Sequence, residues 1–215
     1  MIKVFLIPGL GADARIYKNL DFSGYEVINI SWIDPDKKDT LVTYAQKLID
    51  HYLITPGSIV VGNSLGGMLS MEISKKLELN KTILISSIKT KAEAPRSHKW
   101  YRMVPLYKLV PAKLFSRLGV FVKFAFGKMS AEDQWLFVNM LENTPPHFMK
   151  WALGAILYWE NQTIPPKVSH IHGDKDLVFP YRRIKDATIV KGGSHIMILN
   201  RAEDINIWLK TILPL

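Results

Sequence analysis

The chain has 215 residues, is 48% hydrophobic, carries no cysteine and has a formal charge of +9. That size and apolar content suit one globular domain with room for an inserted subdomain, and the absent cysteine excludes disulfides, thiolate catalysis and cysteine-ligated metal. No apolar run reaches the ~18 residues of a membrane span, and the short apolar start before Gly9 lacks the length and cleavage site of a secretory signal, so a cytoplasmic protein is expected.

Apolar runs alternate with helix-like segments along the chain, the pattern of βαβ units and a parallel sheet. Residues 2–8 read as the first strand, followed by a helix over 12–20 and a strand over 26–32. Thr40 suits the cap of a helix over 41–53, where Leu41, Tyr44, Ala45, Leu48, Ile49 and Tyr52 recur at helical spacing. A strand over 58–63 runs into a helix over 65–79, and further strands are expected over 82–88, 168–174 and 187–193. A helix over 196–213 closes the chain.

The junction of the third strand with its helix reads Gly62-Asn63-Ser64-Leu65-Gly66, with Gly67 following. Strand, G-x-S-x-G turn and helix make a nucleophile elbow. So sharp a reversal strains the serine and leaves space only for small neighbours. The plainer alternative is a glycine-rich turn with a solvated serine. A serine nucleophile needs a base, and the base needs an orienting group. Two downstream loops offer them, each just past a strand: His172-Gly173-Asp174-Lys175-Asp176 and Gly192-Gly193-Ser194-His195. In an open α/β sheet such strand ends border the ligand crevice.

Between Ile88 and Val168 lie about eighty residues with no strand signal, too many for a structureless loop. Pro145 and Pro146 suit the start of a helix, Phe148, Trp151, Ala152, Ala155, Ile156 and Trp159 form a stripe at helical spacing, and Pro165-Pro166 ends the segment. The expectation is a core of residues 1–88 and 166–215 with a helical cap of 89–165 lying over the site. Trp100, Trp135, Phe148, Trp151 and Trp159 are the candidate pocket aromatics. The cap also carries the charge. From Lys89 to Lys128 there are ten basic residues (Lys89, Lys91, Arg96, Lys99, Arg102, Lys108, Lys113, Arg117, Lys123 and Lys128) against Glu93 alone, so the net +9 sits there. A solvated face is the plain reading; weak association with an anionic membrane surface or an anionic substrate is the sharper one. Nucleic acid is not expected, because no binding motif accompanies the charge.

These motifs, taken together, resemble the α/β-hydrolase fold superfamily, and in particular small bacterial esterase-like serine hydrolases. The resemblance spans nearly the whole chain. Ile7-Pro8-Gly9-Leu10-Gly11 resembles the family's oxyanion loop, Gly62 to Gly66 its elbow, Gly173-Asp174-Lys175-Asp176 its acid loop, and Gly192-Gly193-Ser194-His195 its histidine loop. It implies a three-layer α/β/α sandwich with a cap inserted after the fourth strand. It assigns Ser64 as nucleophile, His195 as base and Asp176 as orienting acid, with the backbone N–H groups of Leu10 and Leu65 as oxyanion donors. By the same spacing Asp174 is left as a turn-former. Pro8 stands where many relatives carry histidine, which leaves backbone donors. The chain enters the oxyanion loop directly from its first strand, so the family's first two strands are missing and about six are expected.

The implied reaction is hydrolysis of a carboxylic ester, small or medium and apolar on its acyl side, through an acyl-enzyme, with no cofactor. Acyl-thioester cleavage or acyl transfer, and a ligand-sensing protein with little turnover, are the alternatives. Histidine as base implies activity that falls below pH ~6.5. His172 is expected to pack near the acid loop, and His51, His98, His147 and His170 to be structural or solvated. His170 and His172 share one strand face, but two histidines make a weak metal site, so none is expected.

Overall fold

The computed structural model describes residues 1–103 and 129–213. Lys108, Lys113, Arg117, Lys123 and Lys128 of the basic stretch lie outside the described residues, as does the middle of the interval expected to form the cap. Six strands form one parallel sheet: β1 (Lys3–Ile7), β2 (Glu26–Asn29), β3 (Ile59–Asn63), β4 (Lys81–Ile85), β5 (Val168–Gly173) and β6 (Thr188–Val190). Their order is β2-β1-β3-β4-β5-β6. The chain leaves β1 toward one edge and returns to its other side as β3, so the order reverses between these two strands. Their C-terminal ends border the crevice such a reversal creates. Register brings the same ends level: Ile7 pairs with Gly62, Asn63 with Ile85, and Gly173 with Val190.

Alternate residues of the central strands point to opposite faces, and both faces are covered. Phe5, Ile7, Val60 and Leu84 pack on one side with Leu41, Tyr44 and Leu48 of α1 (Leu41–Tyr52) and Met68 and Leu69 of α2 (Leu65–Ser74). Val4, Leu6, Ile59, Val61, Ile83 and Ile85 pack on the other with Tyr17, Ile198, Ile205 and Leu209. This is a three-layer α/β/α sandwich with six strands. Continuous apolar strands are what a sheet buried on both faces requires.

The strands run one to four residues shorter than the sequence pattern suggests, and the helices differ more. The helix expected over 12–20 is a single 3-10 turn, Ala14–Tyr17, capped by Asp13, whose carboxylate accepts the N–H of Arg15. α2 stops at Ser74, where the N–H groups of Lys76 and Leu77 both turn back to the Ile73 carbonyl. The closing helix is broken into α6 (Met197–Asn200) and α7 (Ala202–Ile212). The break is at Arg201, whose guanidinium holds Asp204 and the Lys191 carbonyl. α1 begins at its expected cap, Thr40, which exchanges hydrogen bonds with Thr43.

Between β4 and β5 the described residues form α3 (Ser97–Met103), α4 (Ala131–Asn143) and α5 (Pro146–Leu157). Leu136, Phe137 and Met140 of α4 join the apolar cluster of one sheet face, whereas Phe148 and Ala152 of α5 join the other. α4 and α5 therefore pack on opposite faces of the sheet. Among the described residues no helix is long and apolar enough to cross a membrane.

Candidate active site

The elbow is built by close backbone approach. Ser64 lies at φ 51°, ψ −115°, a conformation that costs about 1–3 kcal/mol and persists only where its surroundings enforce it. They do so through four hydrogen bonds. The Ser64 N–H donates to Ile85 O at 3.0 Å, and its carbonyl accepts from Gly67 N, Met68 N and Ser87 Oγ. A Cβ on Gly62 would lie 2.2 Å from the Gly66 carbonyl oxygen, and one on Gly66 would lie 2.0 Å from that of Ile7. Only glycine fits between these backbones. Beneath the turn, the buried Tyr17 hydroxyl donates to Ile7 O at 2.6 Å and accepts from Asn63 N at 3.0 Å. Burial pushes the Tyr17 phenol far up, so it stays a neutral donor.

Thr40 and Asp13 spend their side-chain oxygens on capping, but Ser64, which precedes α2, makes no such bond. Its Oγ lies 2.9 Å from His195 Nε2. His195 Nδ1 lies 2.8 Å from Asp176 Oδ2. A carboxylate only accepts, so the proton sits on Nδ1 and Nε2 offers its lone pair to the serine hydroxyl. Asp176 Oδ1 accepts from Val178 N and Phe179 N, each at 2.8 Å. Burial raises the Asp176 carboxyl, but the charge and hydrogen bond of His195 outweigh it and hold the group below its ordinary value. His195 and Asp176 are buried, and Ser64 is half-buried.

Two loops carry His195 and Asp176, and they touch backbone to backbone. A Cβ on Gly173 would meet Gly193 O at 2.1 Å, and Lys175 N donates to Gly193 O at 2.9 Å. Asp174 accepts from Gly192 N at 2.7 Å, so it ties the two loops together and does not reach His195. His172, at the end of β5, is fully buried; its Nε2 is 2.8 Å from Phe179 O and 3.4 Å from Asp176 Oδ2. The alternation His170-x-His172 is the signal for this second imidazole, since it aims both rings to one face of β5. Among the described residues no three His, Cys, Asp or Glu side chains group as a metal site.

The loop after β1 lies against the elbow: a Cβ on Gly9 would sit 3.2 Å from Ser64 Cβ. The loop closes by Ala12 N donating to Gly9 O and turns at Gly11, φ +74°. Leu65 is the first residue of α2, so its N–H has no carbonyl one turn back to bond. Leu10 and Leu153 pack against Leu141 and Met149. A sequence pattern of aromatics pointed away from these aliphatic side chains. α4 also holds the loop's far end, through Asp13 N to Met140 Sδ at 3.5 Å and Arg15 Nη1 to Asn139 Oδ1 at 3.0 Å.

The five candidate pocket aromatics have partners of their own in the fold. Trp100 and Trp135 are 54% and 66% exposed, so they cannot wall an enclosed pocket. Phe148 is buried in an aromatic cluster with Trp32, Tyr44 and Trp151, with ring centroids 4.8, 6.2 and 5.4 Å away. Trp151 donates to Asp39 O, and Trp159, just past α5, donates to the buried Glu72 of α2 at 2.7 Å. Trp151 and Trp159 do line a groove of about 430 Å3, but it runs between the start of α1 and α5, and Ser64, Asp176 and His195 are not among its walls. Ring size and helical spacing are alike for a packing residue and a pocket residue, so the sequence pattern alone does not separate the two.

A family model described as the alpha/beta hydrolase family matches residues 4–206. No curated protein matches the sequence. Among solved structures, the chain is similar to a hydrolase from Pseudomonas aeruginosa, with a TM-score of 0.77 and 14% identity over 100% of this chain and 90% of the other. It is also similar to an esterase from Thermogutta terrifontis, with a TM-score of 0.72 and 17% identity over 99% and 90%. An enol-lactonase from Burkholderia xenovorans gives a TM-score of 0.72 at 14% identity over 98% and 90%. At such identities the likeness is one of fold.

Proposed function

The chain belongs to the alpha/beta hydrolase family, and from that premise we propose that it is a serine hydrolase cleaving a carboxylic ester through Ser64, His195 and Asp176. The observation that carries this reading is the unbroken relay of 2.9 Å from Ser64 Oγ to His195 Nε2 and 2.8 Å from His195 Nδ1 to Asp176 Oδ2. Ser64 Oγ attacks the ester carbonyl carbon while His195 Nε2 takes the hydroxyl proton. Asp176 keeps the imidazole in the required tautomer and stabilises the imidazolium that forms. The carbonyl oxygen becomes an oxyanion, stabilised by the N–H groups of Leu65 and Leu10. α2 begins at Leu65, so its dipole adds to the first of these. His195 then returns the proton to the leaving alkoxide. Water, deprotonated by His195, attacks the acyl-enzyme, and Ser64 recovers its proton as the acid leaves.

In this reading residues 89–165 are a cap on a core of 1–88 and 166–215, and the substrate is a small molecule. Leu10, Leu141, Met149 and Leu153 beside the oxyanion loop favour an acyl group that is apolar and of modest size.

The test is intact-mass analysis after exposure to a fluorophosphonate. One adduct is expected on the wild type and none on Ser64→Ala or His195→Ala. An unlabelled wild type that also fails to hydrolyse p-nitrophenyl esters would overturn the reading.

A further inference from the structure

We propose that His172 is a positioning residue for the acid and base, acting through Phe179 to hold Asp176 and His195 in line with Ser64; this rests on the triad reading above. Nε2 of His172 faces two acceptors, the Phe179 carbonyl at 2.8 Å and Asp176 Oδ2 at 3.4 Å. Between two acceptors that nitrogen must carry the proton. The shorter contact is the hydrogen bond, and the longer one places the positive end of the same N–H dipole beside the carboxylate. Burial lowers the His172 pKa, which keeps the ring neutral and so fixes this tautomer. His172 Nδ1 is buried without a partner, so the ring offers a single directed bond, and that bond goes to Phe179.

Phe179 is the point where three contacts meet. Its carbonyl accepts from His172, its N–H donates to Asp176 Oδ1 at 2.8 Å, and its ring meets the His195 imidazole edge-on at 5.5 Å between centroids. One residue thereby touches both partners of Ser64, Asp176 through its N–H and His195 through its ring. The bond from His172 spans the acid loop from the end of β5 to Phe179 and closes it behind Asp176. Without it the Phe179 carbonyl is a buried acceptor left unpaired, and the residue whose N–H supports Asp176 loses its anchor on the carbonyl side. His170, edge-on to His172 at 5.3 Å, packs the ring from behind.

Side-chain geometry supplies the test. A glutamine amide nitrogen falls near the place of imidazole Nε2, whereas an asparagine amide falls near Nδ1. His172→Gln therefore keeps the donor to Phe179, and His172→Asn and His172→Phe lose it. With a p-nitrophenyl ester, His172→Asn and His172→Phe are expected to lose kcat by roughly 10- to 100-fold with KM little changed, the size of effect that misplaced catalytic groups produce. His172→Gln is expected to stay close to wild type. Fluorophosphonate labelling rates should follow the same order, and melting temperatures are read in parallel. Should His172→Phe not fold, the Gln and Asn variants, alike in polarity, still decide. Equal kcat in Gln and Asn overturns the proposal, whether both match the wild type or both fall. Wild-type labelling that is lost in His195→Ala but unchanged in every His172 variant removes this proposal and leaves the triad reading standing. Absence of labelling in the wild type removes the triad reading itself.

Discussion

The elbow and the helices of the insertion hold their shapes by different means. Around Ser64, backbone meets backbone: Gly62 against Gly66, Gly66 against Ile7, and the Ser64 N–H against Ile85 O. In α4 and α5, side chain meets side chain: Phe148 among Trp32, Tyr44 and Trp151, Leu141 against Leu10, and Trp159 against Glu72. The first kind of contact admits one residue type per position. The second admits any side chain of suitable size and polarity. The contrast teaches where a chemical role can be read from residue order and where it depends on the assembled molecule.

The largest effect that sharpens this contrast is on the rate. Asp176→Asn leaves a side chain of the same shape between Phe179 and His195, but it no longer selects the imidazole tautomer. kcat for a p-nitrophenyl ester is expected to fall by about 10,000-fold with the protein still folded. Steady-state kinetics beside circular dichroism measure both. A fall under tenfold would mean that the 2.8 Å contact does not direct the base.

Next in size is a stability effect at the elbow. A Cβ at Gly66 would lie 2.0 Å from Ile7 O and 2.6 Å from Pro8 O, both backbone atoms with no rotamer to yield. Gly66→Ala should therefore destabilise by about 3 kcal/mol or more, the upper end of overpacking. Urea unfolding monitored by tryptophan fluorescence gives the number. Stability within 0.5 kcal/mol, roughly the range of neutral surface changes, would break the argument from close approach.

The insertion should respond more weakly and more unevenly. Trp159→Phe keeps the ring's bulk but removes the N–H that Glu72 accepts, leaving a buried carboxylate short of a donor. About 1–3 kcal/mol of stability should be lost. Trp135→Ala, at an exposed site, should change stability by less than about 0.5 kcal/mol. Neither should change KM for a small ester. A KM that rises severalfold in Trp135→Ala would return that side chain to the substrate's path.

The same division explains what was legible in the sequence. Six parallel strands could be read because short apolar runs, most of them next to a glycine turn, alternate with helix-like segments. The positions of Ser64, Asp176 and His195 stood out because glycine marks each tight loop, and in the structure the three lie within hydrogen-bond distance. The 3-10 turn that follows the loop after β1 and the break at Arg201 were not legible, since Asp13 and Arg201 set them with bonds to particular partners. The role of the aromatics was not legible, because Phe148, Trp151 and Trp159 show helical spacing whichever way their helix faces. Phe179 carried no signal, because two of its three contacts are made by its backbone.

His170 brings the comparison to its smallest and most conditional effect. It is buried in the sheet domain, both ring nitrogens are without a partner, and its neighbours are His172 and the buried Lys89, itself paired with Glu93 at 3.6 Å. Burial first, then the charges of His172 and Lys89, lower its pKa well below the ordinary value; burial also lowers that of His172. Below an unfolded-state pKa of ~6.5 the unfolded chain takes up protons that the folded protein refuses. The stability that these two rings contribute is therefore complete above that pH and declines as the pH falls toward their folded values. Going from pH 6.5 to 5.5, each ring that stays neutral in the fold removes about 1 kcal/mol. His170→Leu removes two unpaired polar atoms and one titrating group, so it should be near neutral at pH 7.5 and flatten the decline by about that amount. Urea midpoints at the two pH values measure the slope. An unchanged slope in His170→Leu would mean that this ring does protonate in the folded state and that the acid sensitivity lies elsewhere.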